Sequence, residues 1–303
     1  MGIKLLTKQN RSEMTKILIT GATGNLGKSV IKHILKKTKA ENIAVLVRNI
    51  EKGNDLKSQG IDVRVGDYTN YQLLVDAFKG IDKLYFISGS EFEGRSEQHK
   101  NVVNAAKEVG VKQVVYTSFL RKDETSASPI SFVVADHIET EIWLKESGMN
   151  YTILKHNLYM DMLPLFIGDN VLETGVIYQP AGNGKAAFTL REDMAEIAAH
   201  LLTTEGHENK EYDITSDKAY SYRDIAAFIS VITGKTIDYS SPTIEEFNRT
   251  MTEAGVPEMY IGLFAGFSLA MEKGELDETN SVIEQLIGRK ATSVEDYLRK
   301  VYL

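Results

Sequence analysis

The chain of 303 residues carries 35 basic against 42 acidic side chains, for a net charge of −7. With 43% hydrophobic residues it reads as globular and offers no basic field for nucleic acid. It contains no cysteine, which excludes disulfides, thiolate nucleophiles and thiolate metal ligands together and fits a reducing cytosol. Its length exceeds that of a typical domain, yet a doubly wound parallel α/β sheet with an appended region uses such a length around one large core.

The opening MGIKLLTKQNRSE lacks the apolar core of a signal peptide, and Leu6 stands where a myristoylation signal needs Ser or Thr. Residues 1–14 are therefore expected to be a tail ahead of the fold, with Met14 as an alternative start. Lys16–Gly27 then reads KILITGATGNLG. Ile17, Leu18 and Ile19 make a strand-length apolar run, and Lys28–Lys37 carries Val30, Ile31, Ile34 and Leu35 on one helical face. Glycines at 21, 24 and 27 let the backbone turn tightly, approach a pyrophosphate and pack helix on strand, while free N–H groups at the helix start bind its charge. The spacing departs from G-x-G-x-x-G by one residue, and a chance glycine loop is the alternative. Strand before and helix after favour dinucleotide binding.

The second strand, Ile43–Val47, runs into Arg48 where an NAD-specific site has Asp or Glu. A guanidinium makes charge-assisted bonds to a ribose 2′-phosphate, so NADP(H) is expected over NAD(H); a solvated loop arginine is the alternative, and Lys52 could supplement it. Strands and helices go on alternating: Asn54–Gln59, Asp62–Val65, Tyr71–Phe78, Lys83–Ile87, Gln98–Val109, Val114–Ser118, Ser131–Ser147 and Tyr151–Leu154. This βαβ repetition predicts a Rossmann-type parallel sheet over residues 15–158, with ligands over the carboxyl ends of its strands. Those ends hold Gly21, Arg48, Gly66-Asp67-Tyr68, Ser88-Gly89, Thr117-Ser118 and Lys155-His156-Asn157. Asp67 is a candidate acceptor for an adenine amino group with Tyr68 beside the ring, or else a helix cap. Gly89 admits a ribose or makes a plain turn.

Tyr151 and Lys155 match the Tyr-x-x-x-Lys dyad of short-chain dehydrogenases but fall on a strand, where they cannot both face a nicotinamide. His137, in ADHIETE, is the better candidate proton donor, although Val134, Ile138 and Ile142 set a core face that it would only border. Asn157 and Tyr159 are candidates to bind the carboxamide or a substrate carbonyl, or to serve as loop hydrogen bonders. His156 alternates away from Asn157 and is left out. No G-x-S-x-G, H-E-x-x-H or metal-spaced carboxylate cluster occurs, so no metal is expected.

Residues 159–303 are expected to form an interleaved substrate-binding region, not an independent domain. One more core strand at Phe188–Leu190 and helix at Glu192–Thr203 fall within about 186–203, and Tyr212–Ile214, Ser221–Thr233 and Ile237–Ser240 are further additions. The longest apolar stretch, Tyr260–Met271, is about half of the ~20 residues a membrane span needs. It reads as a pocket wall or the contact of a homodimer.

Together TGATGNLG, VRN, VGDYTN, VVYTSFL, ADHIETE, YTILKHNLYMDML and AGNGKAAFTLREDMAEIAAHLLT resemble the NmrA-like atypical short-chain dehydrogenase/reductases over roughly residues 15–300. The pattern is most similar to the bacterial NADPH:quinone oxidoreductases and triphenylmethane dye reductases of that family. The resemblance implies flavin-free reduction, by NADPH, of a quinone, dye, nitro or azo compound or a similar electron-poor conjugated small molecule. It implies cofactor contacts at Gly21, Thr23, Gly24, Asn25, Leu26, Gly27, Arg48, Asp67, Ser88 and Asn157, and absence of the Tyr–Lys dyad. Lys155-His156-Asn157 stands where relatives commonly show Arg-Asn. An NADP(H)-sensing regulator without catalysis is the alternative; a sugar-nucleotide epimerase, which needs the dyad on a helix, ranks last. The expected location is the cytoplasm.

Overall fold

The computed structural model describes residues 15–91 and 93–303, so the expected tail at residues 1–14 lies outside the described residues. The early apolar runs become strands because both of their faces are covered: all of Ile17–Ile19 and all of Ile43–Val47 are buried. In chain order the first half forms β1 (Ile17–Ile19), α1 (Asn25–Ile34), β2 (Ile43–Val47), α2 (Asn54–Ser58), β3 (Asp62–Val65), α3 (Tyr71–Phe78) and β4 (Lys83–Phe86). It continues with α4 (Arg95–Glu108), β5 (Gln113–Phe119), α5 (Ser131–Glu146) and β6 (Asn150–His156). The second half adds α6 (Leu163–Ile167), α7 (Val171–Thr174), β7 (Val176–Tyr178), β8 (Lys185–Ala186), α8 (Arg191–Thr203), β9 (Lys210–Ile214) and β10 (Tyr220–Ser221). It ends with α9 (Tyr222–Thr233), β11 (Asp238–Ser240), α10 (Ile244–Glu253), α11 (Glu258–Glu272), α12 (Val282–Ile287) and α13 (Val294–Tyr302).

Seven parallel strands in the order β3-β2-β1-β4-β5-β6-β9 form a Rossmann-type sheet. Chain direction across the sheet reverses between β1 and β4, and a crevice opens there above the carboxyl ends. On one face Val30, Ile31 and Ile34 of α1 pack with Ile197, Ala198 and Leu201 of α8. On the other, Leu74 and Phe78 of α3 meet Val102 and Ala106 of α4. A third apolar cluster joins Phe166, Ile225, Phe264, Phe267 and Leu298 from α6, α9, α11 and α13. The second half of the chain thus returns to the sheet through α8 and β9 and builds a wall beside it with the rest.

Three local expectations change. The first helix begins at Asn25, not Lys28, because the Lys28 N–H already bonds the Gly24 carbonyl at 3.0 Å and so starts the helical ladder at the turn. No strand forms over Phe188–Leu190. Thr189 makes a single bridge with Tyr159 while Lys185–Ala186 pairs antiparallel with Tyr220–Ser221, since the Ala187 N–H is taken by the Leu276 carbonyl and α8 starts at Arg191. On α5, Ile142 is 45% exposed, and the covered stripe is Val134, His137, Thr140, Glu141 and Leu144. His137 is therefore inside the buried stripe and not at its border.

The α1–α8 contact has an acid-sensitive tie. Glu192 Oε1 lies 2.8 Å from Lys32 Nζ and 3.0 Å from His33 Nε2. Burial alone would raise its carboxyl, but hydrogen bonds from Lys32, Ser29 and His33 outweigh burial and hold it down to about 2. Because the folded value lies below the unfolded one, the tie is intact above about pH 4.5 and is lost as pH falls through about 2. In Glu192→Gln the denaturation midpoint is expected to fall less steeply over that window, by about 1 kcal/mol after solvent screening. Parallel acid limbs for the two proteins would show that the tie contributes nothing.

Candidate active site

The crevice is built first from backbone. After β1, Gly21 takes φ +58°, and a Cβ there would press to 3.2 Å against Ile87. The Gly24 N–H closes the turn on the Gly21 carbonyl at 3.0 Å. At Gly27 a Cβ would fall 2.3 Å from the Gly21 oxygen and 2.9 Å from the Ala22 Cα, so only glycine lets α1 sit this close to the strand end. Among the described residues no side chain caps α1, and its first turn holds no acid, so the N–H groups of Asn25, Leu26 and Gly27 remain available to an anion, with Thr23 beside them. Behind the turn, the buried Thr20 hydroxyl receives the Ile87 N–H (2.9 Å) and the Tyr68 hydroxyl (2.5 Å), fixing β1 against the end of β4.

A cleft of about 570 Å³ runs from Arg48 and Asp67, past this turn and Ser88-Gly89, to Ser118, His137, Tyr159 and the apolar side chains Met162, Leu263 and Phe267. At its outer end the Arg48 side chain is 72% exposed and 3.7 Å from Glu91 Oε1. Asp67 uses Oδ1 on the N–H and hydroxyl of Thr69, while Asn70 caps α3 by accepting from the Leu73 N–H. Asn70, not Asp67, thus caps α3, which corrects the capping alternative, and Asp67 lines the cleft. Tyr68 turns its hydroxyl inward and its ring, edge-on to Phe86 at 5.5 Å, forms wall.

Midway, Thr117 and Ser118 part company. Thr117 is buried and does not line the cleft; its hydroxyl accepts the Ser88 N–H at 2.9 Å, so it supports the floor from behind. The expectation that it contacts cofactor directly is corrected on that ground. Ser118 does line the cleft and gives its proton to Glu141, which forms a two-pronged pair with Arg121 at 2.6 and 2.9 Å. Gly89 directs its N–H to His99 Nε2 at 3.0 Å.

At the inner end Asn157 is wholly buried. Its two amide protons go to Thr215 Oγ1 (3.0 Å) and the Leu276 carbonyl (3.1 Å), and its oxygen accepts the Leu158 N–H. Donation to a substrate carbonyl is corrected, because no N–H remains; Asn157 lines the cleft while tying the end of β6 to β9 and the segment after α11. Tyr159 presents its ring to the cleft under the Arg191 guanidinium (5.1 Å), with its hydroxyl 3.4 Å from His156 Nδ1. Burial, against the opposing pull of Arg191, pushes that phenol up to about 12, so it stays protonated. His137 bonds Tyr116 through Nδ1 at 2.7 Å. Burial, then the cations Arg95 and Arg121 and the neighbouring histidines, holds its pKa well below the usual value. Held so low, the candidate proton donor His137 is a neutral imidazole near neutral pH, a hydrogen-bonding group and not an imidazolium acid. Tyr151 and Lys155 stay outside the cleft, Lys155 pairing with Glu211 at 2.8 Å.

The family model for the NmrA-like family matches residues 13–298. The chain belongs to the NmrA-like family. Among NmrA-like relatives, quinone oxidoreductase 2 of Escherichia coli is 36% identical over 286 residues, spanning 94% of this chain and 98% of that protein. The crystal structure of the NADPH-dependent quinone oxidoreductase of Escherichia coli complexed with NADPH is similar at a TM-score of 0.89 and 36% identity, covering 95% of this chain and 100% of that one. The Citrobacter sp. triphenylmethane reductase complexed with NADP(H) gives a TM-score of 0.87 at 36% identity and the same coverage.

Within this NmrA-like chain, sequence reasoning missed His99, Tyr116 and Arg191. Tyr116 reads as core in the run VVYTSF, which it also is. For His99 a signal existed: Arg95, His99, Val102 and Ala106 recur at helical spacing on the buried face of α4, which puts two polar residues on an inward stripe.

Proposed function

We propose that this protein is an NADPH-dependent, flavin-free reductase that delivers a hydride to a quinone or a similarly electron-poor conjugated small molecule. The observation that carries the reading is the continuity of the cleft: a glycine cradle and an exposed guanidinium at one end, an apolar chamber with one neutral imidazole at the other. Its likeness over nearly the whole chain to quinone and triphenylmethane reductases supports it. When bound, NADPH supplies a hydride to the acceptor and leaves as NADP+, so that a quinone needs one further proton, from water, to become the quinol.

The residues divide the work accordingly. The N–H groups of Asn25, Leu26 and Gly27 would hold the pyrophosphate, the missing side chain at Gly27 letting α1 sit against the Gly21-Ala22 backbone. Arg48 would meet the 2′-phosphate, Asp67 would accept from the adenine amino group, and Ser88-Gly89 would lie by the ribose. Residues 159–303 supply Met162, Leu263 and Phe267, which with Phe119 and Val133 receive a flat ring and exclude water. His137 offers a hydrogen bond to the acceptor oxygen as it gains negative charge. Such a cysteine-free enzyme suits the cytoplasm.

Mixing purified protein with NADPH and menadione and following the loss of NADPH absorbance tests the proposal. Turnover well above the rate without protein is expected. Absence of turnover across quinones, triphenylmethane dyes, azo and nitro compounds overturns it.

A further inference from the structure

His137 stands at the end of a chain of polar groups whose direction can be read from its other end. The Gly89 N–H can only donate, so His99 Nε2, 3.0 Å away, is an unprotonated acceptor. His99 is wholly buried, and burial together with Arg95 holds it down to about 3. A neutral imidazole with a bare Nε2 carries its proton on Nδ1. That proton faces Thr140 Oγ1 at 2.8 Å and, farther off, the Tyr116 hydroxyl at 3.5 Å. Thr140 spends its own proton on the Asp136 carbonyl at 2.6 Å and so accepts from His99. The Tyr116 hydroxyl also faces Thr140, but its shortest contact is His137 Nδ1 at 2.7 Å. A bare imidazole nitrogen is a stronger acceptor than a hydroxyl that already accepts from His99, so the phenol proton is directed to His137 Nδ1. An imidazole that accepts at Nδ1 is protonated at Nε2; His137 lines the cleft, and among the described residues its one hydrogen bond is the Nδ1 contact with Tyr116.

We propose that Tyr116, backed by His99, is a positioning residue that fixes neutral His137 in its Nε2–H tautomer, so that a substrate oxygen in the cleft meets a hydrogen-bond donor and not a lone pair. The proposal rests on the reductase reading for its use but not for its geometry. The opposite tautomer would aim a lone pair at the oxygen that receives negative charge, and would oppose the reaction.

Long-range proton–nitrogen NMR correlations of the imidazole rings, with His137 assigned by its loss in His137→Gln, read the tautomer directly. In the wild-type protein Nε2 is expected to be protonated and Nδ1 not. Tyr116→Phe keeps the ring in its contact with Phe86, 5.0 Å away, and deletes the hydroxyl. It is expected to mix the two tautomers and to lower kcat for menadione about tenfold with NADPH affinity unchanged. A wild-type spectrum with protonated Nδ1 overturns the proposal even if the variant does not fold, and so does a Tyr116→Phe spectrum identical to the wild type. A protein that turns over no acceptor yet shows the expected spectra refutes the reductase reading and leaves the tautomer assignment standing.

Discussion

Gly27→Ala is expected to destabilise the protein by about 2–3 kcal/mol and to weaken NADPH binding about 100-fold or more. The added methyl would lie 2.3 Å from the Gly21 oxygen and 2.9 Å from two backbone carbons, and none of these is a side chain that can rotate away. To relieve the overlap α1 must draw back from β1, which moves the N–H groups of Asn25, Leu26 and Gly27 away from the anion they would hold. Gly24→Ala is the control for the stability loss, because there the nearest atom is the Gly21 oxygen at 3.3 Å and φ is −79°, an ordinary angle for alanine. Chemical denaturation and titration calorimetry on the two variants measure both effects. Equal, small losses in both would mean that the glycine spacing is not what holds the cofactor.

Arg48→Ala is expected to raise the NADPH dissociation constant about 10- to 100-fold, as removal of charge-assisted bonds worth about 1.5–3 kcal/mol implies, while the NADH constant stays within about twofold. Fold stability is not at issue, because the side chain is 72% exposed and its ion pair with Glu91 at 3.7 Å is a solvated one. The discriminating quantity is the ratio of the two constants in wild type and variant. A ratio that does not change returns Arg48 to the status of a solvated loop arginine. Glu91 sharpens the test, since its carboxylate lies beside the guanidinium where a 2′-phosphate would bind, and it repels that phosphate once Arg48 is gone.

The outer half of the cleft was legible in the sequence and the inner half much less so. β2, β3 and α3 have the boundaries that apolar runs and turn residues predict, because such patterns report burial directly. The stripe on α5 misled: Val134, Ile138 and Ile142 read as its core face, yet the stripe turned inward carries His137, Thr140 and Glu141, polar residues that burial tolerates through bonds to Tyr116, His99 and Arg121. Phe188–Leu190 misled in the same sense, since apolar residues next to a helix start were covered by the Leu276 segment without joining a sheet.

The sequence by itself determined where the backbone must turn closely and which charge stands at the end of β2, because a glycine's missing Cβ and the position of Arg48 along the chain are local properties. Only the tertiary structure decided which polar groups remain free to act. Thr117 and Asn157 stand at the expected strand ends but spend their hydrogen bonds on Ser88 and on Thr215 and Leu276. His137 is bonded by Tyr116, and burial with the cations Arg95 and Arg121, all set by the fold, holds its pKa well below the usual value. The physical reason is that a donor or acceptor is used up by whichever partner the fold brings within about 3 Å, and those partners come from distant parts of the chain.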